Sequence, residues 1–480
     1  MPEDQSGDKR RIRYRYITWA VIGACLAAWL ATLDYNGPFF DEGIYVTAGI
    51  RSLEGLAYTD RFLTWFGGSL AWPILAGVGF RVGGLIGTRA VAALVTVVGL
   101  GAFAQAVRNV FGERASFWAT LALALNGAFL SLARLGVYDT LALSAIAVSL
   151  WAITELDRRD HRGWLFVSAV AYTVAVLAKY PMGVMALPLL GTLVILRKER
   201  VSTDVLLFAF IAGALGLSVF LPLREPVADF FSFRLQQRPD FGVPVRLIAI
   251  TIVYLSLIPF ILAVAGWVMV SGKRRLATLM VLSLAIWPTY HLATGDPVST
   301  SKHLVFGYVF AYPLAGVTLS RIWGDGRAAL LRRGLVLVGV VVLGGIGILQ
   351  ATQADRSWPD LRPPAAYLVD HVQPGDQLLI NESWPYTMYL YTAGRIESPW
   401  DVYDEYRITH EEAAPAVCEY DWFVDTRGSF AWPDEILDRK AECGSYEQVF
   451  SSTSYVINLG ADATYVSQPV DSIVWKNTGE

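Results

Sequence analysis

The chain has 480 residues, 54% hydrophobic and 17% charged, with a mean hydropathy of +0.43. A soluble domain carries about a quarter charged residues, so a wholly soluble protein is excluded and long apolar blocks point to lipid as the main solvent. A formal net charge of −3 argues against a nucleic-acid partner.

A membrane-spanning helix needs about 20 mainly apolar residues. Candidate stretches lie near 16–33, 69–87, 89–107, 115–133, 140–156, 164–179, 181–196, 203–222, 246–270, 276–293, 303–320 and 334–351. Basic clusters mark the cytoplasmic side: KRRIRYR at 9–15, RNVFGER at 108–114, DRRDHRG at 157–163, RKER at 197–200, GKRR at 272–275 and RIWGDGRAALLRR at 321–333. These clusters alternate consistently only if 69–87 does not cross. That stretch carries Arg81 and five glycines, weak credentials for a lipid-facing helix. It reads as an interfacial or re-entrant helix. The sequence therefore predicts about eleven transmembrane helices, a cytoplasmic N-terminus and a large first external loop over 34–88. Residues 1–352 form the membrane module.

Acids near the membrane gather in the external loops: Asp34, Asp41, Glu42, Asp60, Asp139, Asp229, Asp240 and Asp296. Acids at that depth are costly unless paired or functional. Solvated loop acids are the simpler reading for Asp34 and Asp229, and a helix N-cap for Asp139. Asp41 and Glu42 follow PFF and precede an amphipathic stretch, GIYVTAGIRSLEG, which makes the simple reading weaker. Glu42 could also cap the helix that starts near Gly43. The cations Arg134, Lys179, Lys302 and His303 end apolar runs on the external side. Snorkelling is the simple role for each, yet four external cations run against the positive-inside trend.

After Thr352 the composition turns polar. PAAYLVDHV, SWPYTMYLYTAG, ITHEEAAPAVCE and WPDEILDRKAEC read as helices. DQLLIN and YDWFVDT read as strands, and EQVFSS and SYVINL as strands of a closing hairpin. Residues 353–480 are thus expected to form an extracytoplasmic α/β domain. There a disulfide between Cys418 and Cys443 competes with two free buried thiols. The five histidines are scattered, and no CxxC, HExxH, GxSxG or P-loop pattern occurs. Zinc chemistry is therefore not expected.

External acids and cations suit transfer of a sugar from a polyprenyl-phosphate donor. A carboxylate takes the acceptor's proton as general base. Cations or a divalent metal (Mg²⁺, Mn²⁺ or Ca²⁺) stabilise the leaving phosphate. A transporter or flippase of lipid-linked sugars is the competing reading. It requires polar residues along a central path, and the predicted spans hold few.

Four segments resemble the GT-C superfamily of integral-membrane glycosyltransferases, in particular the group of protein O-mannosyltransferases and the aminoarabinose transferase of lipid A. PFFDEGIYVTAG resembles the family's first-loop Asp-Glu motif. LARLGVYDTLALS resembles its arginine followed by an aspartate that opens a helix. VLAKYPMGVMALPLL and SKHLVFGYVFAYPLAG resemble its lysine and late basic-pair elements. The resemblance implies a GT-C-like polytopic helical fold and inversion at the anomeric carbon. It makes Asp41 the catalytic base or the acid that positions the acceptor, with Glu42 beside it and Asp139 joining them through a metal held by Asp41 and Asp139. Arg134, Lys179, Lys302 and His303 would cradle the donor phosphate. It also implies a polyprenyl-phosphate sugar donor, an extracytoplasmic acceptor and a multi-pass location in the cell membrane. Where lipid A-modifying relatives carry Glu-Lys-Pro, this chain reads AYTDRFLTWFGG, with Asp60 and Arg61. That disfavours aminoarabinose transfer.

Overall fold

A computed structural model describes residues 5–57, 61–236, 243–297, 299–324, 328–404, 407–408, 415–427, 432–460 and 464–479. Seven helices among the described residues are long and apolar enough to cross a membrane, and two shorter apolar segments, Gly163–Ala178 and Tyr180–Leu196, accompany them. The chain divides into two compact units.

The first unit holds residues 1–33, 60–69 and 90–352. Its centre is the helix Thr300–Ile322, with 94% of its apolar window buried. Small residues let neighbouring helices close on it. A Cβ on Gly316 would meet the Ala115 carbonyl, and one on Gly266 the Leu314 carbonyl. At the periphery, the helix Val201–Phe220 buries only 11% of its window and leaves Leu206, Phe210 and Leu217 exposed. In water such apolar faces would be a liability; in lipid they are ordinary. The stretch expected to span as 115–133 is broken. The helix Glu113–Ala124 stops and Asn126 caps a new one, Gly127–Leu132, its side chain accepting from the Phe129 amide at 3.1 Å. Residues 224–236, expected as loop, form the helix Arg224–Gln236.

The second unit holds residues 34–59, 70–89 and 353–480. The helical run Ala71–Phe111 changes units midway. It breaks at Gly83 and Gly84, the latter at φ 60°, ψ −149°, a conformation open to glycine. The stretch before the break, 71–82, reaches about 18 Å, short of a bilayer's core. The chain then folds back: Thr88 Oγ1 donates to the Ala76 carbonyl at 2.9 Å, and a Cβ on Gly87 would run into the Gly79 carbonyl. The helix Phe40–Leu53 lies against this stretch, with Gly49 under the Pro73 carbonyl. It also packs on Trp384, whose carbonyl would stand 2.5 Å from a Cβ at Gly43.

The C-terminal part is an α/β domain whose strands among the described residues are β1 Leu378–Ile380, β2 Val402–Tyr403, β3 Trp422–Thr426, β4 Tyr446–Leu459 and β5 Tyr465–Asn477. They form one sheet in the order β2-β1-β3-β5-β4. β1 runs parallel to β2 and β3, while β5 is antiparallel to β3 and β4. Leu378, Ile380, Val424 and Val474 form a core with Leu368, Tyr386 and Leu390 of the covering helices. The hairpin expected within 447–459 does not form. EQVFSS and SYVINL are one continuous strand, β4, and its partner is the unpredicted β5. Cys418 and Cys443 are joined in a disulfide, with Cα atoms 5.4 Å apart. Half of the helix expected over 408–419, residues 409–414, lies outside the described residues; Val417–Glu419 is a short 3-10 turn.

Candidate active site

In the first unit the chain LAKYPMGVM makes a sharp reversal. The helix Gly163–Ala178 ends because Lys179 turns extended, at φ −151°, ψ 102°. Pro181 follows and has no N–H to continue a helix. The Tyr172 hydroxyl donates to the Gly183 carbonyl at 2.9 Å, so the chain has turned back alongside the helix it left. Lys179 stands at the apex.

The Lys179 ammonium forms a buried ion pair with Asp139 Oδ1. Asp139 lies in the first turn of the helix Tyr138–Arg159, but the N-cap there is Val137. Its carboxylate is therefore held by Lys179 and not spent on capping. The other oxygen, Oδ2, is buried and has no hydrogen-bond partner among the described residues. The ammonium also lies 5.1 Å from the Tyr138 ring centroid and 5.9 Å from that of Phe306. Such an environment strengthens every charge interaction in it.

His303 opens the helix Thr300–Ile322 and is buried. Its ring lies 4.5 Å from the Trp287 ring and touches His291, with His291 Nε2 3.0 Å from His303 Nδ1. The charges of Lys179 and Lys302 reach the His303 ring. Asp139, Lys179 and His303 are thus gathered with Lys302 near. Arg134 is half-buried. Its Nη1 donates to Thr32 Oγ1 at 3.2 Å and its Nε to the Leu130 carbonyl at 3.3 Å.

In the second unit Asp41 and Glu42 open the helix Phe40–Leu53. Asp41 is partly buried; Glu42 is fully buried. Glu42 accepts from Arg89 through both oxygens, Nε to Oε1 at 2.9 Å and Nη2 to Oε2 at 2.8 Å. Its Oε2 also accepts from the Phe39 amide at 2.9 Å. Arg89, itself inaccessible to solvent, donates further to the carbonyls of Asn36 and Gly37 at 2.9 and 2.8 Å and sits 4.3 Å over the Tyr35 ring. One guanidinium therefore clamps the whole segment YNGPFFDE, a geometry lysine cannot copy. Asn36 adds two bonds, to the carbonyls of Asp355 and Trp358. Arg89 is the residue that sequence reasoning missed. The signal was an arginine directly after the break between two apolar runs. Arg61 starts the short helix Arg61–Trp65 in the first unit and is exposed. Asp60 and Asp240 lie outside the described residues.

Among the described residues no three His, Cys, Asp or Glu side chains gather as a metal site. Of the two acids expected to share a metal, Asp139 already holds an ammonium through Oδ1, and Asp41 belongs to no such cluster among the described residues.

A family model described as dolichyl-phosphate-mannose-protein mannosyltransferase matches residues 71–224. No curated protein matches the chain. Among solved structures, ArnT from Cupriavidus metallidurans bound to undecaprenyl phosphate is similar at a TM-score of 0.60 and 19% identity, covering 95% of this chain and 98% of that one. Its apo state gives 0.58 and 18%, over 95% and 97%. The apo Archaeoglobus fulgidus oligosaccharyltransferase gives 0.52 and 11%, over 94% of this chain and 74% of its own. At these identities the likeness is one of fold.

Proposed function

We propose that this chain, whose fold is that of the GT-C glycosyltransferases, moves a sugar from a polyprenyl-phosphate donor to an acceptor on the extracytoplasmic face of the cell membrane. The observation that carries this reading is the buried Lys179–Asp139 pair at the apex of a chain reversal between apolar segments. A buried ion pair is weak as a stability device and expensive to keep. A lysine held there by one carboxylate oxygen is pre-oriented to meet an incoming phosphate.

In this reading residues 34–88 form the outer loop and 353–480 the external domain. Lys179 exchanges part of its bond to Asp139 for the donor phosphate. Arg134 and Lys302 add positive charge as the leaving phosphate gains negative charge. Asp41 takes the proton of the acceptor hydroxyl as general base, and attack from the face opposite the phosphate inverts the anomeric centre. Glu42, bound to Arg89, holds the Asp41 segment in place. No step is routed through a metal ion. The fold relative's bound lipid phosphate supports the donor class for this chain; the sugar and acceptor follow from assay.

The test is binding and transfer by the purified full chain in nanodiscs. Lys179→Met is expected to weaken binding of polyprenyl phosphate at least tenfold and to abolish transfer. Equal binding by wild type and Lys179→Met would overturn the reading.

A further inference from the structure

His291 and His303 are joined in a chain of hydrogen bonds whose end fixes the direction of every proton in it. His291 Nδ1 lies 2.6 Å from the Asp296 main-chain carbonyl, which can only accept. His291 Nδ1 therefore carries a hydrogen. Thr300 Oγ1, 3.4 Å from the same nitrogen, donates its own proton to the Pro297 carbonyl at 2.8 Å and so agrees with this assignment.

The rest follows by counting. With one proton per neutral ring, His291 Nε2 is bare and accepts from His303 Nδ1 across 3.0 Å. His303 then has its proton on Nδ1, and its Nε2 is a lone pair. That nitrogen is buried and has no hydrogen-bond partner among the described residues. Two protons on two rings satisfy the chain without burying a further charge, and leave one acceptor open.

A bare ring nitrogen repels a phosphodiester oxygen. We propose that His303 Nε2 accepts a hydrogen bond from a hydroxyl of the bound carbohydrate instead of donating to the lipid phosphate, and that His291 is the positioning residue that fixes this tautomer. The inference rests on the glycosyl-transfer reading for its ligand, and it narrows the phosphate cradle to Lys179, Arg134 and Lys302. The hydroxyl belongs either to the transferred sugar or to the acceptor, and kinetics separate the two.

The tautomer is read without any activity. The chain has five histidines, so nitrogen-15 spectra of histidine-labelled full chain in nanodiscs are assignable by single substitutions. The expected spectrum shows His303 protonated at Nδ1 and bare at Nε2. His291→Phe should shift His303 toward the Nε2–H form. His291→Gln, whose amide oxygen accepts where Nε2 did, should preserve the native form and lose less activity than His291→Phe. His303→Asn keeps a donor toward His291 and removes Nε2. It should lower kcat/KM about 10- to 100-fold, the cost of an unpaired buried hydroxyl, with polyprenyl phosphate binding unchanged. A raised KM for the lipid donor assigns the hydroxyl to the transferred sugar, and a raised KM for the acceptor assigns it to the acceptor. A wild-type His303 protonated at Nε2, or loss of polyprenyl phosphate binding in His303→Asn, overturns the inference and leaves the transfer reading intact. A wild type that transfers no sugar from any polyprenyl phosphate overturns the transfer reading, and the hydroxyl ligand with it.

Discussion

Replacing Arg89 by methionine removes the guanidinium that ties together residues 35–42. The side chain is inaccessible, and its loss takes the counter-charge from the buried Glu42 carboxylate and a donor from the Asn36 carbonyl, while the Gly37 carbonyl keeps its bond from Trp358 Nε1 at 3.2 Å. Breaking a buried ion pair by deleting one partner costs about 3–5 kcal/mol, and the lost carbonyl bonds add to this where water cannot reach. Glu42→Gln keeps an acceptor for the guanidinium and should cost less, roughly half as much. The double variant Arg89→Met, Glu42→Leu removes both charges, so its loss should be smaller than the sum of the single losses. The assay is the apparent Tm of the full chain in nanodiscs, followed by tryptophan fluorescence. The expected order is wild type, Glu42→Gln, then the double variant above Arg89→Met. A Tm for Arg89→Met equal to wild type would refute the clamp. A double variant that loses the full sum of the single losses would refute the coupling.

Burial pushes the Glu382 carboxyl up to about 7 from an ordinary value of 4.5. A raised acid keeps its proton in the fold while the unfolded chain has lost it, so stability falls as pH rises from about 4.5 to 7, by about 3 kcal/mol. Glu382→Gln should raise the apparent Tm at pH 8 and leave it nearly unchanged at pH 4.5; equal shifts at both would contradict this. Gly43→Ala sets a methyl against the Trp384 carbonyl and should destabilise by about 1–3 kcal/mol, seen as faster proteolysis after 353. Reducing the Cys418–Cys443 bridge, which spans 25 residues, should cost the C-terminal domain about 3 kcal/mol, measurable as a lower Tm in reductant.

Much of the fold was legible because its signals are long. Apolar runs and basic clusters identify a polytopic helical protein, and alternating polar segments after Thr352 identify the α/β domain. Short-range detail was less legible. Helix Arg224–Gln236 is too polar to announce itself among spans. Strand β5 contains Pro469, a residue that demotes a strand pattern, yet it pairs with β4 along its whole length. In the site, Lys179 and Asp139 were nameable from sequence, and the structure pairs them. That Asp139 is no cap could not be read, because the cap is decided by the backbone at Val137. Arg89 hid as the first residue of a spanning run. His291 and His303 looked scattered because only the turn after Thr294 brings two rings 12 positions apart into contact.

Transfer in this reading requires a carboxylate working against a lipid-linked donor. The most direct test supplies the purified chain with polyprenyl-phosphate sugars labelled in the sugar, together with delipidated cell-envelope acceptors, and compares wild type with Asp41→Asn. Label should reach an acceptor with wild type and not with Asp41→Asn, while both bind polyprenyl phosphate equally. Transfer by Asp41→Asn at the wild-type rate would contradict the account.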